Sequence, residues 1–299
     1  MVKEPFLAYF GHVNIDVMIK VKSIPTHGSI GVERMSEVFG GTAGNFAIIS
    51  SKLGINFDLY SSVSSVTHRD YLEKLEKMGI DISHITIQGT GMGPVCYIVS
   101  DGSDQIAYVF QGPMDSWKPS LGFKNNRYRY AHFSTGPAEE YLRIAQQISE
   151  DSVIVFDPSQ EISYKWDRET LISMLDLADF FIGNLSEFET LQKMTGLGIR
   201  EITANGTDVI ATLGERGSSL YTKNSRVDVP PLKLGPPRDS TGAGDSYRAG
   251  LYFGLSMGKS MRESMAIASV VAAEAIREGI DAMKPNIEKI LNESTRLIF

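Results

Sequence analysis

Short apolar runs alternate along the chain with segments whose apolar residues recur every three or four positions. After an opening segment, Phe6–Phe10, the runs Phe57–Val63, Tyr130–Ser134, Val153–Phe156, Phe180–Ile182 and Val209–Thr212 read as buried strands. Between them, Arg69–Met78, Glu139–Ile148, Arg168–Leu177 and Glu187–Met194 carry helical periodicity. Strand and helix in alternation predict βαβ units and a parallel sheet, an α/β fold. Residues 15–39 and 85–112 interrupt the rhythm with β-rich sequence and turn signals at Pro25–Gly28 and Asp101–Gly102, which predict a small accessory sheet. The final third predicts three helices, Ser246–Met257, Met261–Arg277 and Asn286–Leu297, the first two ended by Gly258 and Gly279. No repeat, low-complexity tract or interdomain linker is visible, so residues 1–299 read as one domain.

Composition narrows the function classes. A chain of 299 residues that is 42% hydrophobic can bury a core without disulfide or metal staples, which sets disorder aside. A formal net charge of −7 disfavours non-specific attraction to nucleic acid or an anionic membrane. Cys96 is the single cysteine, so neither an intrachain disulfide nor a multi-cysteine zinc site can form, in keeping with a reducing compartment. It lies in an apolar strand pattern, which predicts a core residue rather than a nucleophile. His12, His27, His68, His84 and His132 are scattered without metal-ligand spacing. Met1–Phe10 lacks the apolar stretch of a signal peptide, and the longest uncharged span, Ile82–Ser100, is broken by Gly89, Gly91, Gly93 and Pro94. These features predict a cytoplasmic protein that crosses no membrane.

Glycine is in mild excess, with 28 residues, and its placement carries the candidate chemistry. Gly89-Thr-Gly91-Met-Gly93-Pro94 has a dinucleotide-like spacing, but Val95–Val99 after it is a strand pattern and not the helix that a pyrophosphate site needs. Asp239-Ser240-Thr241-Gly242-Ala243-Gly244-Asp245 runs directly into a helical segment. Gly242, Ala243 and Gly244 leave their main-chain N–H groups open to an oxyanion at the positive helix end, and Asp245 falls in the first turn. An acceptor carboxylate beside an anion cradle is what transfer of a phosphoryl group to an alcohol requires. The bland alternative is an aspartate that complements the helix dipole; on either reading the helix end is expected to keep Asp245 ionised. Gly40-Gly41-Thr42-Ala43-Gly44-Asn45 heads another helical segment and adds one amide side chain. Asn14 and Asp16, two apart on an extended backbone, face one side, where they grip adjacent hydroxyls of a polyol or form a turn or capping pair.

Taken together, these motifs resemble the ribokinase, or PfkB, family of carbohydrate and nucleoside kinases. Asp239–Asp245 resembles its C-terminal signature, and Gly40–Asn45 its glycine pair and asparagine. Asn184-Leu185-Ser186-Glu187 resembles its Asn-x-x-Glu motif, and Thr212–Gly217 its nucleotide-binding strand and turn. The resemblance implies a three-layer α/β/α core with a mostly parallel sheet, and a lid formed by residues 15–39 and 85–112. It implies ATP-dependent phosphorylation of a hydroxymethyl group on a small-molecule sugar or nucleoside. Asp245 would be the base, the amides of Gly242, Ala243 and Gly244 the anion hole, and Asn14, Asp16, Gly41 and Asn45 the acceptor site. Thr212, Gly214, Gly217 and Asn184 would hold the nucleotide. Glu187 would hold Mg²⁺ through water, and Asp239 with Thr241 a monovalent cation such as K⁺, as in some relatives. Asn184 and Glu187 also fit a plain helix cap. Thr42 stands where ribokinases carry lysine, and Thr241–Gly250 with Phe156–Gln160 leans towards archaeal members that phosphorylate nucleosides. Arg248 either approaches the phosphates or forms a surface ion pair. Exposed lid strands predict a homodimer through the lid. A catalytically silent sugar- or nucleotide-binding regulator on the same scaffold is the rival reading.

Overall fold

The computed structural model describes residues 6–119, 128–235 and 241–298. The chain opens with β1 (Leu7–Phe10), β2 (Asn14–Val21), β3 (Val32–Gly40), α1 (Thr42–Leu53), β4 (Phe57–Ser64) and α2 (Ser65–Lys77). It continues with β5 (Ile85–Gln88), β6 (Val95–Ser100), β7 (Gln105–Phe110), β8 (Tyr130–Phe133), α3 (Ala138–Ile148), β9 (Val153–Phe156) and α4 (Arg168–Leu177). The remainder is β10 (Phe180–Asn184), α5 (Leu185–Thr195), α6 (Ile199–Ala204), β11 (Asp208–Thr212), β12 (Ser218–Tyr221), β13 (Arg226–Val229), α7 (Ala243–Ser256), α8 (Met261–Glu278) and α9 (Ile287–Ile298).

Side-chain alternation along the strands builds the layers. Leu7 and Tyr9 of β1 point into a core shared with α1, α2, α7, α8 and α9, whereas Ala8 and Phe10 point into one shared with α3 to α6. Between these helical layers lies a sheet ordered β13-β12-β11-β10-β9-β8-β1-β4-β5. It is parallel from β11 to β5, and β12 and β13 add an antiparallel edge. Both faces are covered, which is why the central strands are apolar throughout instead of alternating. The expected three-layer α/β/α core is present. None of the described helices is long and apolar enough to cross a membrane.

A second sheet, ordered β3-β2-β6-β7, projects from this core; its outer pairs are antiparallel and β2–β6 is parallel. The expected lid range needs one correction. Residues 85–88 do not join this sheet but pair with Ser61–Ser64 at the edge of the large one, where Ile85 is buried in the main core. Residues 111–116 likewise turn back to the core, placing Met114 against β4. The lid is therefore β2, β3, β6 and β7. The short α6 and the serine-rich β12 carry no periodic signal strong enough to predict them.

The direction in which strands are added reverses at β1, which lies between β4 and β8: later strands are added outwards on either side. Such a switch point opens a crevice at the carboxyl ends of the strands. His12, just after β1, and Thr135, just after β8, line that crevice.

Candidate active site

A cavity of about 660 Å³ lies between this crevice and the lid. Every site residue expected from the sequence lines it except Asp239, which lies outside the described residues. Residues two hundred positions apart meet directly: Asn45, in the first turn of α1, donates from Nδ2 to Oδ2 of Asp245, in the first turn of α7, at 2.9 Å.

The two helix starts differ in what their amides do. At α1, the N–H groups of Ala43 and Gly44 both donate to the carbonyl oxygen of His12, at 3.0 and 3.2 Å. Gly41 permits this tight passage with φ +87°; a Cβ there would lie 2.3 Å from that same oxygen. At α7, Gly242 takes φ +72° and no side chain caps the helix. Among the described residues nothing accepts a bond from the N–H groups of Ala243, Gly244 or Asp245. Among the described residues, only the α7 turn of the two keeps its amides unspent, at the positive end of a 14-residue helix.

Asp245 is buried, and burial, opposed by Arg248 and the Asn45 bond, pushes its carboxyl up to about 6. Desolvation works against the helix end that is expected to keep Asp245 ionised, and at neutral pH the carboxylate form still predominates. Asn14 and Asp16 share a face of β2, with Asn14 Nδ2 donating to Asp16 Oδ1 at 2.5 Å. Burial pushes Asp16 up to about 6 as well, against the Asn14 bond. Asp16 also abuts Gly40, where a Cβ would lie 2.2 Å from Oδ2, so the carboxylate is clamped between β2 and β3.

The register of the lid places Cys96 and Val109 beside Asp16, with Ile98 and Ala107 in the next row. All four line the cavity and give the inner lid an apolar face. Cys96 is thus a lid residue facing the cavity, and burial, aided by Asp16, pushes its thiol up to about 11, which leaves it inert.

At the far end, Asn184 and Glu187 form a reciprocal capping box on α5: Asn184 N and Nδ2 donate to Glu187 at 2.8 Å each, and Glu187 N donates back at 3.0 Å. The plain cap is therefore real, yet Glu187 also lines the cavity; burial, and then Asp157, raise its carboxyl. Thr212 lies opposite Asn184 in the β10–β11 register. Gly214 and Gly217 bracket a short turn open to the cavity, and Thr241 lies at its border. Among the described residues no three His, Cys, Asp or Glu groups cluster to hold a metal on their own. One carboxylate and phosphate oxygens suit a hard cation that arrives with a nucleotide and keeps several waters.

Sequence reasoning missed a buried network beside the cavity. Glu161, 1% exposed, accepts from Gln111 Nε2 at 2.5 Å and from Gly136 N at 2.6 Å, with His12 Nδ1 3.6 Å away. His12 Nε2 is buried at the cavity without a partner among the described residues. Asp157 is fully buried between Arg248 and His132; burial works against its charge, but the Arg248 guanidinium overrides this and holds its carboxyl low. Arg248, 7% exposed, is thus no surface pair. Of these residues the sequence singled out Asp157, within Phe156–Gln160, His12, among the scattered histidines, and Arg248, and nothing there signals the long-range partners.

A mostly parallel α/β/α sandwich whose lid sheet closes over a glycine turn and its aspartate defines a sugar or nucleoside kinase of the ribokinase type. Residues 4–285 match the pfkB family of carbohydrate kinases, and the chain belongs to that family, ATP-dependent kinases of carbohydrates and nucleosides. It is 43% identical to the nucleoside kinase of Thermoplasma acidophilum over 289 residues, 97% of this chain and 96% of that one. A solved ribokinase-type protein of the same organism superposes with a TM-score of 0.87 at 42% identity, over 99% of both chains. The nucleoside kinase of Methanocaldococcus jannaschii superposes with a TM-score of 0.87 at 26% identity, over 98% of this chain and 99% of that one.

Proposed function

We propose that the protein transfers the γ-phosphoryl group of ATP to the hydroxymethyl group of a nucleoside, with Asp245 as base. The observation that carries this reading is Asp245 itself, tied to Asn45 at the head of a helix whose first amides have no acceptor among the described residues. In the reaction the acceptor oxygen bonds to the γ-phosphorus and the bond to the bridging oxygen breaks, its electron pair leaving with ADP. The hydroxyl proton passes to Asp245. A loose transition state asks mainly for positioning, which a carboxylate near pKa 6 supplies while remaining ionised at pH 7. The amides of Gly242, Ala243 and Gly244, with that of Asp245 beside them, hold the charge that the transferred group carries. Asn14, Asp16 and Asn45 orient the acceptor hydroxyls, with Gly41 keeping the backbone clear for them. Thr212, Gly214, Gly217 and Asn184 receive the nucleotide. Mg²⁺, held by the phosphates and through water by Glu187, would neutralise phosphate charge.

The lean from sugar to nucleoside rests on the inner lid. Cys96, Ile98, Ala107 and Val109 extend an apolar face beyond the hydroxyl-binding Asp16, which a free pentose has no surface to cover and a base does. The names of the two nucleoside kinase relatives agree with it. Exposed Val32, Met35, Val38, Ile106, Tyr108 and Phe110 on the same sheet support a homodimer through the lid. An ATP-coupled assay across nucleosides, ribose, fructose, hexose phosphates and keto-deoxy sugar acids tests the assignment. Turnover with nucleosides is the expected result; turnover confined to acceptors without a base would overturn it.

A further inference from the structure

Four buried carboxylates line the cavity, Asp16, Glu161, Glu187 and Asp245, and Asp157 lies behind them. A nucleotide would bring still more negative charge. Among the described lining residues, Arg248 is the only lysine or arginine.

One helical turn from Asp245 to Arg248 places both on the same face of α7. The Arg248 guanidinium uses one edge on Asp157: Nε donates to Oδ2, and Nη2 donates to Oδ1 at 2.5 Å. That grip fixes its plane, because Asp157 is itself held by His132 Nε2 at 3.2 Å, and His132 Nδ1 lies 2.9 Å from the Tyr252 hydroxyl. The other terminal nitrogen, Nη1, has no partner among the described residues. It lies beside Gly244, where a Cβ would come within 2.3 Å of it. The free edge of the guanidinium therefore adjoins the turn that presents the unspent amides.

We propose that Arg248 is a further catalytic residue, whose Nη1 donates hydrogen bonds to the oxygens of the phosphoryl group in transfer while Asp157 holds the opposite edge. The proposal rests on the reading of this site as a phosphoryl-transfer centre. Arg248 makes and breaks no covalent bond; it adds a fixed positive charge where the amides alone supply dipoles.

Three variants separate this role from simple neutralisation of Asp157. Arg248→Lys keeps a cation for Asp157 but has no second edge. Asp157→Asn removes the carboxylate, and the double variant R248Q/D157N removes both charges together, so that neither is left buried alone. The readouts are kcat and KM for the acceptor, the ADP dissociation constant by calorimetry, and the melting temperature. R248K and the double variant should lose about 100-fold in kcat, with ADP affinity within about threefold of wild type and D157N within about tenfold in kcat. Recovery of the double variant to within about threefold of wild-type kcat would overturn the proposal, since Arg248 would then serve only Asp157. Should the double variant not fold, R248K decides alone, and wild-type turnover in it is the contrary result. Failure of the wild-type protein on every acceptor would instead strike the phosphoryl-transfer reading itself.

Discussion

As the proposed base, Asp245 combines two demands that pull in opposite directions. A base must be ionised, yet the closed cavity that excludes water also desolvates its charge, and burial pushes the carboxyl from 3.8 to about 6. Two consequences follow with opposite signs. Activity should fall as pH drops through about 6, and because Asp16 titrates in the same range, the limb of kcat/KM should be steeper than one proton. A pH–rate profile of Asp16→Asn, whatever its absolute rate, should show a one-proton limb; an unchanged steep limb would show that Asp16 plays no part. For stability, a raised carboxyl pKa favours the folded state below about pH 4, an advantage lost as pH rises through 6. Asp245→Asn should therefore stabilise the protein by on the order of 2 kcal/mol at pH 8 and by nothing near pH 4, as measured by denaturant unfolding. At this scale the sequence was most informative where a residue type and its neighbours together imply chemistry, as at Asp245, Asn45 and Asp16. It was silent on what surrounds His12, Asp157 and Glu161, because their partners are 25 to 149 positions away and only the folded sheet brings them together.

Between residue and fold, the helix starts and the loops that brace them set the geometry. Gly242 is held at φ +72° with Ile280 Cδ1 2.3 Å from where a Cβ would stand. Gly242→Ala should cost about 1–2 kcal/mol in backbone strain and lower kcat at least tenfold by displacing the amides. Thermal melts and steady-state kinetics check the two effects separately. The loop carrying Ile280 is anchored from the far end of α1: Lys52 Nζ donates to the carbonyl oxygens of Ile280, Asp281 and Met283 at 2.7, 2.7 and 3.0 Å. Lys52→Met should loosen residues 280–283 in hydrogen exchange and cost about 1–2 kcal/mol of stability; unchanged exchange there would show the loop is held by its own packing. Elements with strong periodicity, such as α3, α4 and α8, were legible within a few residues. The lid was harder, because Ile85–Gln88 and Val95–Ser100 have the same β-rich character and only their partners, β4 and β2, assign them to different sheets.

For the whole molecule, the order of events in the chain explains why one cavity gathers distant motifs. Reversal at β1 brings the loops after β1 and β8 side by side, and α1 and α7 pack as neighbours on one face of the sheet, so that Asn45 meets Asp245. The lid then covers the end of the cavity that Asn14 and Asp16 line. Its other face carries Met35, Ile19, Val99 and Ile106 in one register row, with Met35 and Ile106 exposed. Light scattering after size exclusion should give twice the 32.9 kDa chain mass, and M35E/I106E should return it to the monomer mass. A wild-type monomer would remove the lid dimer from the account without touching the chemistry. The chemistry turns on Asp245, and the most direct measurement compares kcat of Asp245→Asn with wild type on the best acceptor, alongside ADP affinity by calorimetry. A loss of about a thousandfold or more in kcat, with ADP bound as in wild type, is the predicted result; turnover at the wild-type rate would contradict it.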